Sequence, residues 1–384
     1  MLLGVLAVSI SLTFQILLPV VPVMVERQGP HGIAGAAVAA LFLGAVAGEL
    51  TSPWLMRVWA SRRLMVAGQL ITALSSLAYV TPNVGTTVMI GAAAVRGLGM
   101  GLAIVIATAL ISELAPPSRR GASIGAFGLA MSVPGIFIPS VGVSLLAAGH
   151  PEADAAIGFV ASIVGLVAAL RIPDRPRHTR DSATNLFAAL RRPGVGAIFA
   201  GYVLVSLSFG GGLTFVPVAL PLAGLGSAAT YLLVHGATRA AGRWFAGLIA
   251  DRFPVRGVLV GGMVLCLAGL VALALHSNAL LVILAGVFYG AGYGAVQTAA
   301  YVGMLERGMP RDTGAISALW NSGIDLGSSL GGTAIGLAAA RVGFDTAVWV
   351  LPIAVVLSLP LFLYPAPAAP RAERPVAEPL PLEG

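Results

Sequence analysis

Residues 97–122 read GLGMGLAIVIATALISELAPPSRRGA, an apolar run followed by a polar connection that contains two prolines. The run is long enough to enter a bilayer as a helix, and the chain must leave the bilayer at the connection, since hydrocarbon satisfies no irregular backbone. The same order of landmarks recurs 193 residues later in the chain. The matching pairs are Gly97 with Gly290, Gly99 with Gly292, Gly101 with Gly294, Glu113 with Glu306, Pro117 with Pro310 and Gly121 with Gly314. The sequence therefore predicts two related halves.

The composition is that of a membrane protein throughout. Of the 384 residues, 58% are hydrophobic and 10% are charged, whereas soluble domains have about 45–50% apolar and about 25% charged residues. The apolar residues form blocks of about 20, the length of a helix that crosses about 30 Å of hydrocarbon. We predict an all-α integral membrane protein with twelve transmembrane helices, over residues 2–25, 33–55, 64–80, 86–111, 122–148, 155–171, 195–222, 227–249, 257–276, 280–304, 315–339 and 346–364.

These helices are predicted to form two pseudo-symmetric six-helix bundles, residues 1–171 and 195–364, joined by an arginine-bearing cytoplasmic linker at 172–194. With the N-terminus inside the cell, 17 of the 22 basic residues lie in cytoplasmic segments. Basic loops resist translocation, so this count predicts a multi-pass protein of the cell membrane with both termini cytoplasmic. The first apolar block lacks a basic n-region and a cleavage pattern, which indicates a retained helix. The Pro- and Ala-rich tail at 365–384 is predicted to be disordered.

Several kinds of partner and chemistry are not expected. The pI near 10.3 would suit nucleic acid, but the arginines lie between apolar blocks and form no surface cluster. The single cysteine, Cys266, supports neither a disulfide nor a cysteine-based metal site, and we expect no metal or cofactor. No Gly-x-x-x-x-Gly-Lys-Ser/Thr loop is present, so ATP drive is not expected. A polytopic membrane enzyme is a remote alternative, because the five histidines are scattered and the only close acidic pair, Glu152 and Asp154, is expected in an outer loop.

One loop carries a family resemblance. Residues 247–256 read GLIADRFPVR, which is similar to the loop signature Gly-x-x-x-Asp-Arg-x-Gly-Arg-Arg of the major facilitator superfamily. Twelve helices, a basic linker and a six-plus-six repeat also resemble that family, which implies alternating access by two rocking bundles. The resemblance implies a cytoplasmic latch, formed by Asp251 and Arg252 with Arg243 at the rim of the eighth helix. In it Asp251 would contact the positive N-terminal end of the fifth helix.

Two further motifs concern coupling and direction. Residues 96–101, RGLGMG, resemble the family's Arg-x-x-x-Gly-x-Gly element, which is associated there with proton coupling, except that Gly99 stands one place early. The fifth helix carries part of a second family motif, as Gly128, Gly135, Pro139 and Gly142. This motif, Gly-x-x-x-Gly-Pro-x-x-Gly, is typical of antiporters that export drugs and metabolites. The resemblance implies proton-coupled efflux of a small organic molecule, with proton-coupled import of a small metabolite as the alternative.

Charged side chains inside the predicted helices are candidates for mechanism, since each costs about 2.5–3.5 kcal/mol at the bilayer centre on insertion scales. Asp325, near the midplane of the eleventh helix, and Glu49, in the second, are the candidate proton carriers. Arg96, in the fourth helix, stays charged and can favour the ionised form of a nearby carboxylate or hold an anionic substrate. Two alternatives remain open, a structural ion pair of Asp325 with Arg96 or Arg239 and a rim pair of Glu49 with Arg57.

Helical spacing also predicts a substrate cavity, because residues at i, i+4 and i+8 share one face of a helix. The eighth, tenth and eleventh helices each carry such a polar or aromatic face. The candidates are Gln15, His235, Arg239, Tyr289, Tyr293, Gln297 and Asn321. For the tyrosines, packing with satisfied hydroxyls is the alternative. We expect a monomer in the lipid bilayer that exchanges a small molecule and protons and binds no nucleic acid.

Overall fold

The computed structural model describes residues 2–80, 84–114, 127–172, 186–222, 228–250, 252–309 and 312–365. All regular structure in these ranges is helical, which confirms the predicted fold class. The long helices are α1 Leu2–Gln28, α2 Ala34–Val58, α3 Ser61–Ser76, α4 Thr86–Leu114, α5 Phe127–Ala147, α6 Pro151–Leu170, α7 Pro193–Leu222, α8 Ala228–Ala250, α9 Val255–Leu275, α10 Ala279–Arg307, α11 Thr313–Val342 and α12 Phe344–Phe362. Each corresponds to one predicted transmembrane helix, and a short helix, Leu186–Leu190, precedes α7.

Three of these helices are less apolar or shorter than the others. Among the described residues, nine helices are long and apolar enough to cross a membrane by those properties alone. The other three are α3, which has 16 residues, and α8 and α11, which carry the candidate residues His235, Arg239, Asn321 and Asp325. Polar residues within transmembrane helices usually face the bundle interior or a water-filled cavity. The weaker hydropathy of α8 and α11 therefore reflects their place beside the centre of the molecule.

Proline breaks α1 but not α7. Residues 18 and 19 separate a segment at Leu2–Leu17 from one at Val20–Gln28. Pro19 has no N–H to continue the hydrogen-bond ladder, and Pro22 removes a second donor one turn later. Pro217 and Pro221, by contrast, lie within the continuous helix α7. The bend in α1 lies beside the region where candidate site residues collect.

The sequence repeat appears in the helix packing. In the first half α1 packs on α5 and α6, α2 on α4, and α3 on α4 and α6. In the second half α7 packs on α11 and α12, α8 on α10, and α9 on α10 and α12, which is the same scheme six helices later. The repeated glycines explain it: a Cβ at Gly97 would overlap the Leu41 carbonyl oxygen of α2, and one at Gly294 would overlap the Arg239 carbonyl oxygen of α8. The glycines thus bring the matching helix pairs to backbone distance.

The two bundles meet through α2 against α11 and through α5 against α8, which are equivalent pairs under the repeat. At the end predicted to be outside, Gly32, in the turn before α2, and Gly35 of α2 lie against Gly332 and Gly336 of α11. The contact is so close that a Cβ at Gly35 would overlap the Gly332 carbonyl oxygen. Gly32 has a φ of 87°, a conformation that other residues rarely adopt. The two bundles are therefore closed against each other along α2 and α11 at the predicted outer end.

Candidate functional site

Glu49 of α2 and Asp325 of α11 lie at the interface between the bundles. Their side chains are only 7% and 8% exposed. The Ser322 hydroxyl donates a 3.0 Å hydrogen bond to Glu49 Oε2, and Asp325, one turn further along α11, interacts electrostatically with Glu49. Neither carboxylate forms a salt bridge with another described residue. The structure thus brings the two candidate proton carriers together, and the alternative ion pairs with Arg57, Arg96 or Arg239 are not formed in it.

Arg96 lies inside the first bundle, and its side chain is 2% exposed. Its Nη1 donates to the Thr13 carbonyl oxygen at 3.1 Å and, more weakly, to that of Phe14 at 3.5 Å, both on α1. The guanidinium also interacts with the Tyr79 hydroxyl. It borders a cavity of about 10 Å³ shared with Gln69 of α3, a space for about one water molecule. Arg96 therefore joins α4 to the bent helix α1.

The second bundle has a tyrosine where the first has Arg96. Tyr289 follows Arg96 by 193 residues, the period of the repeat. Its hydroxyl lies 2.9 Å from the Ser208 hydroxyl of α7, so it joins α10 to α7 as Arg96 joins α4 to α1. The same helix pair is held in each half, by a charged group in one and by a neutral hydroxyl in the other. This comparison indicates that Arg96 supports the bundle in addition to any part in coupling.

An aromatic column fills the core of the second bundle. The His235 ring stacks with Tyr231, Tyr289 and Phe209 at centroid distances of 5.9, 5.1 and 6.1 Å, and Phe209 stacks with Tyr293 at 5.0 Å. The Tyr293 hydroxyl reaches the Ser206 hydroxyl at 3.4 Å. Tyr289 and Tyr293 are thus packed with hydroxyls bonded to α7, the arrangement of the packing alternative. Contact between these tyrosines and a substrate stays a prediction.

His235 is the exception in this column. It is 6% exposed, and neither ring nitrogen has a hydrogen-bond partner among the described residues. Burying a polar group without a partner costs free energy, so this ring has unused capacity to bind a polar group. One turn further along α8, the Arg239 guanidinium lies 5.2 Å from the centre of the Phe209 ring. The column is therefore polar at the edge that faces the bundle interface.

The remaining candidates for the cavity are Gln15, Gln297 and Asn321. Gln15 fills the space left by the missing side chain of Gly135 on α5, with its Nε2 3.0 Å from where a Cβ would stand. The Asn321 amide donates to the Ser317 carbonyl oxygen at 3.1 Å. The buried Gln297 side chain has an Oε1 without a partner in the described chain, while its backbone carbonyl accepts from Trp320 Nε1 at 2.8 Å. These groups come from α1, α10 and α11, so both bundles contribute.

Comparison with known proteins agrees with this architecture. The family model described as Major Facilitator Superfamily matches residues 3–302 and 227–383. The chain belongs to the major facilitator superfamily. It is therefore a secondary transporter of small molecules in a membrane, and the family resemblance of the sequence is confirmed.

Solved structures of this superfamily share the fold. A D-xylose-proton symporter superimposes with a TM-score of 0.74 at 16% identity, covering 95% of this chain and 96% of the other. A point mutant of the nucleoside transporter NupG gives 0.75 at 12% identity over 94% and 99%. A bacterial homologue of the human lysosomal transporter Spinster, in an inward-facing conformation, gives 0.71 at 13% over 94% and 93%.

A curated relative matches part of the chain. Myo-inositol transporter 1A of Cryptococcus neoformans var. grubii is 29% identical over 144 residues, which are 38% of this chain and 24% of that protein. The match thus spans less than a quarter of the relative, and it leaves the substrate of this superfamily member open to proposal.

The latch that the resemblance implies falls only partly within the described residues. Asp251 lies outside the described residues, as do most of the linker at 172–194 and nearly all of the tail at 365–384. Arg252 is exposed at the predicted inner end. Arg243 is half-buried, and its guanidinium lies 5.6 Å from the centre of the Trp320 ring on α11. Arg243 therefore connects α8 to α11 through an aromatic contact, and the latch itself stays a prediction.

Sequence reasoning missed several residues of this site. Ser322, Trp320 and Phe209 each contact a candidate residue, but a serine or an aromatic residue in an apolar helix gives no pattern that separates it from its many neighbours. The expectation for Asp154 was wrong. Instead of lying in an outer loop, it belongs to the first turn of α6, is fully buried, and has no hydrogen-bond partner for either carboxylate oxygen in the described structure.

Proposed function

We propose that this transporter couples export of a small organic molecule to proton entry, and that Glu49 and Asp325 together form its proton site. The observation that carries the proposal is their meeting at the interface of the bundles, one carboxylate from each half and neither with a basic partner among the described residues. A group placed there senses the relative position of the two bundles directly.

Electrostatics gives this pair its effect on conformation. Two ionised carboxylates in a low-dielectric interface repel each other strongly, so a proton on either one stabilises the contact between α2 and α11. When the bundles rock and the helices part, each carboxylate meets water and can be ionised alone. Proton binding and the closed outer end therefore favour each other, as linkage requires.

Antiport follows if the substrate competes with the proton for these carboxylates. A substrate with a cationic or hydrogen-bond-donating group would bind Glu49 or Asp325 in place of the proton, so the two would cross in opposite directions without a nucleotide. The partial export motif of α5 supports this direction. Its Gly135 and Gly142 lie at close contacts with Gln15 and with the Ile16 carbonyl oxygen, so the motif packs α5 against the bent helix α1.

One observation favours the second candidate, proton-coupled import. Arg239 and Arg243 are half-buried, and neither forms a salt bridge with another described residue. An anionic substrate bound to them would bind best when the nearby carboxylates are protonated. Substrate and proton would then travel together, which is symport.

The sign of proton movement separates these candidates. The protein would be reconstituted into liposomes with its cytoplasmic side outward and a pH dye inside. Cationic, neutral or anionic amphiphiles would then be added to the outside solution. Antiport raises the luminal pH, because protons leave as substrate enters, whereas symport lowers it. We expect a cationic or neutral compound to raise it.

Neutral variants test the proton site. Glu49→Gln and Asp325→Asn should each abolish proton movement, while Glu306→Gln, a change at an exposed acid, should leave it unchanged. Proton movement that survives in both interface variants would place the proton site elsewhere. Labelled substrate uptake with no proton movement in the wild type would refute proton coupling altogether.

A further inference from the structure

An apolar groove runs between α8, α9 and α10 on the exposed surface of the second bundle. Its volume is about 630 Å³. Gly257 and Gly261 of α9 line it, and a Cβ built at either one meets no atom within 4 Å. Leu265, two turns beyond Gly257, also lines it, so the groove extends about 12 Å along α9 at 1.5 Å per residue. Its length and lining suit an extended hydrocarbon chain.

Positive charge collects at one end of this groove. Phe253 and Gly257 line the groove, and the exposed Arg252 and Arg256 directly precede them in the chain. Helix α9 begins at Val255, so its free N–H groups and the positive end of its dipole lie at the same place. Neither arginine forms a salt bridge with another residue in the described ranges. Arg307, at the end of α10, interacts electrostatically with both Arg256 and Glu306.

Aromatic side chains mark the level of this end in the bilayer. Trp244 and Phe245 of α8 and Phe253 are 65%, 53% and 62% exposed, and the first two rings lie 5.0 Å apart. Tryptophan is enriched where headgroups meet hydrocarbon. The arginine end of the groove therefore lies at headgroup depth, on the side predicted to be cytoplasmic.

We propose that this groove binds an anionic phospholipid from the cytoplasmic leaflet. One acyl chain lies along Gly257 and Gly261, and the phosphate contacts Arg252, Arg256 and the N-terminal end of α9. Charge complementarity favours this occupant over a second copy of the chain, since two copies paired through this groove would bring the same arginines together. The proposal does not depend on the direction of transport or on the proton site.

Lipid retention by the purified full-length protein tests the proposal. Native mass spectrometry would count lipids bound from detergent micelles containing phosphatidylglycerol or phosphatidylcholine. We expect tight retention of phosphatidylglycerol, weakened about 30-fold in the double variant Arg252→Gln/Arg256→Gln, since each basic residue near an anionic headgroup contributes about fivefold. Gly261→Leu should fill the groove and lower retention of both lipids. The elution volume of each variant on gel filtration confirms that it is folded.

Matched variants elsewhere serve as controls. Arg341→Gln removes an exposed arginine at the opposite end of the molecule, and Gly91→Leu adds a side chain at a glycine of α4 that also has nothing within 4 Å. Both should retain phosphatidylglycerol as the wild type does. Equal retention of the two lipids by the wild type and the double variant would overturn the proposal. If the wild type is a dimer and Gly261→Leu dissociates it, the groove binds a second copy of the chain, and the proposal is also overturned.

Discussion

Ser322 on α11 donates a 3.0 Å hydrogen bond to the Glu49 carboxylate on α2, so one hydroxyl from the second bundle holds an acid of the first. The two residues are separated by 273 positions in the chain. The bond can form only when α2 and α11 are in contact. It therefore contributes to the stability of this conformation and not of one in which the helices have parted.

Ser322→Ala should shift the protein away from the outward-closed conformation. A hydrogen bond to a charged group contributes about 1.5–3 kcal/mol, and the variant loses it only in the closed state. The shift can be followed with Val38→Cys, a buried position on α2 beside Gly332, labelled by a membrane-impermeant thiol reagent. The native Cys266 is fully buried, so background labelling is low. Ser144→Ala, which removes a hydroxyl bonded within its own helix, should not change the labelling rate.

Gly35→Ala should prevent closure of the predicted outer end. The added methyl group would overlap the Gly332 backbone, and overpacking of this kind costs about 1–3 kcal/mol. We expect faster labelling at Val38→Cys and a lower transport rate, with a normal yield of folded protein. Gly91→Ala is the matched control, because a Cβ there meets nothing within 4 Å. Unchanged labelling in Gly35→Ala would show that this contact does not limit closure.

The variant His235→Phe should show whether His235 binds substrate or only packs within the aromatic column. Phenylalanine keeps the aromatic column and removes two ring nitrogens that have no described partner, so Tm should stay the same or rise. If His235 binds substrate, KM should rise about tenfold, the loss of roughly one hydrogen bond. His150→Phe, at an exposed histidine, controls for the change of residue type. A drop in Tm with unchanged KM would make His235 a structural residue only.

Arg96→Gln should destabilise the first bundle. The change removes the charged contacts with the Thr13 and Phe14 carbonyl oxygens, and leaving buried polar groups unsatisfied costs about 1–3 kcal/mol per group. We expect a clear fall in Tm measured on the detergent-purified protein. Arg57→Gln, at an exposed position of α2, should leave Tm near that of the wild type. A wild-type Tm with loss of proton movement would instead restrict Arg96 to coupling.

The twelve helices and their division into two halves could be predicted from the sequence. Hydrocarbon thickness fixes the length of an apolar block, and the repeat of Gly97, Gly99 and Gly101 as Gly290, Gly292 and Gly294 reflects the same close helix contacts in each half. Both constraints act within one helix or one pair of neighbouring helices. They can therefore be recognised without knowing how the bundles meet.

The partners of the buried charges could not be predicted in this way. Glu49 stands eight residues from Arg57 on its own helix, which makes that pair the natural sequence-based alternative. The structure instead pairs Glu49 with Ser322, because the interface between the bundles turns that face of α2 toward α11. Asp154 shows a second limit. Helix α6 begins at Pro151, a few residues earlier than predicted, and that difference moves a carboxylate from an expected loop into the protein interior.

The four glycines Gly32, Gly35, Gly332 and Gly336 contribute only backbone atoms to the contact between α2 and α11. At these four positions no rotamers are frozen when the helices meet and none are released when they part, so this part of the contact forms and breaks with little change in side-chain entropy. The balance between the two conformations then depends chiefly on what binds between the bundles. A glycine contact of this kind adds little temperature dependence of its own, and it leaves protons and substrate to shift the side of the membrane that the transporter faces.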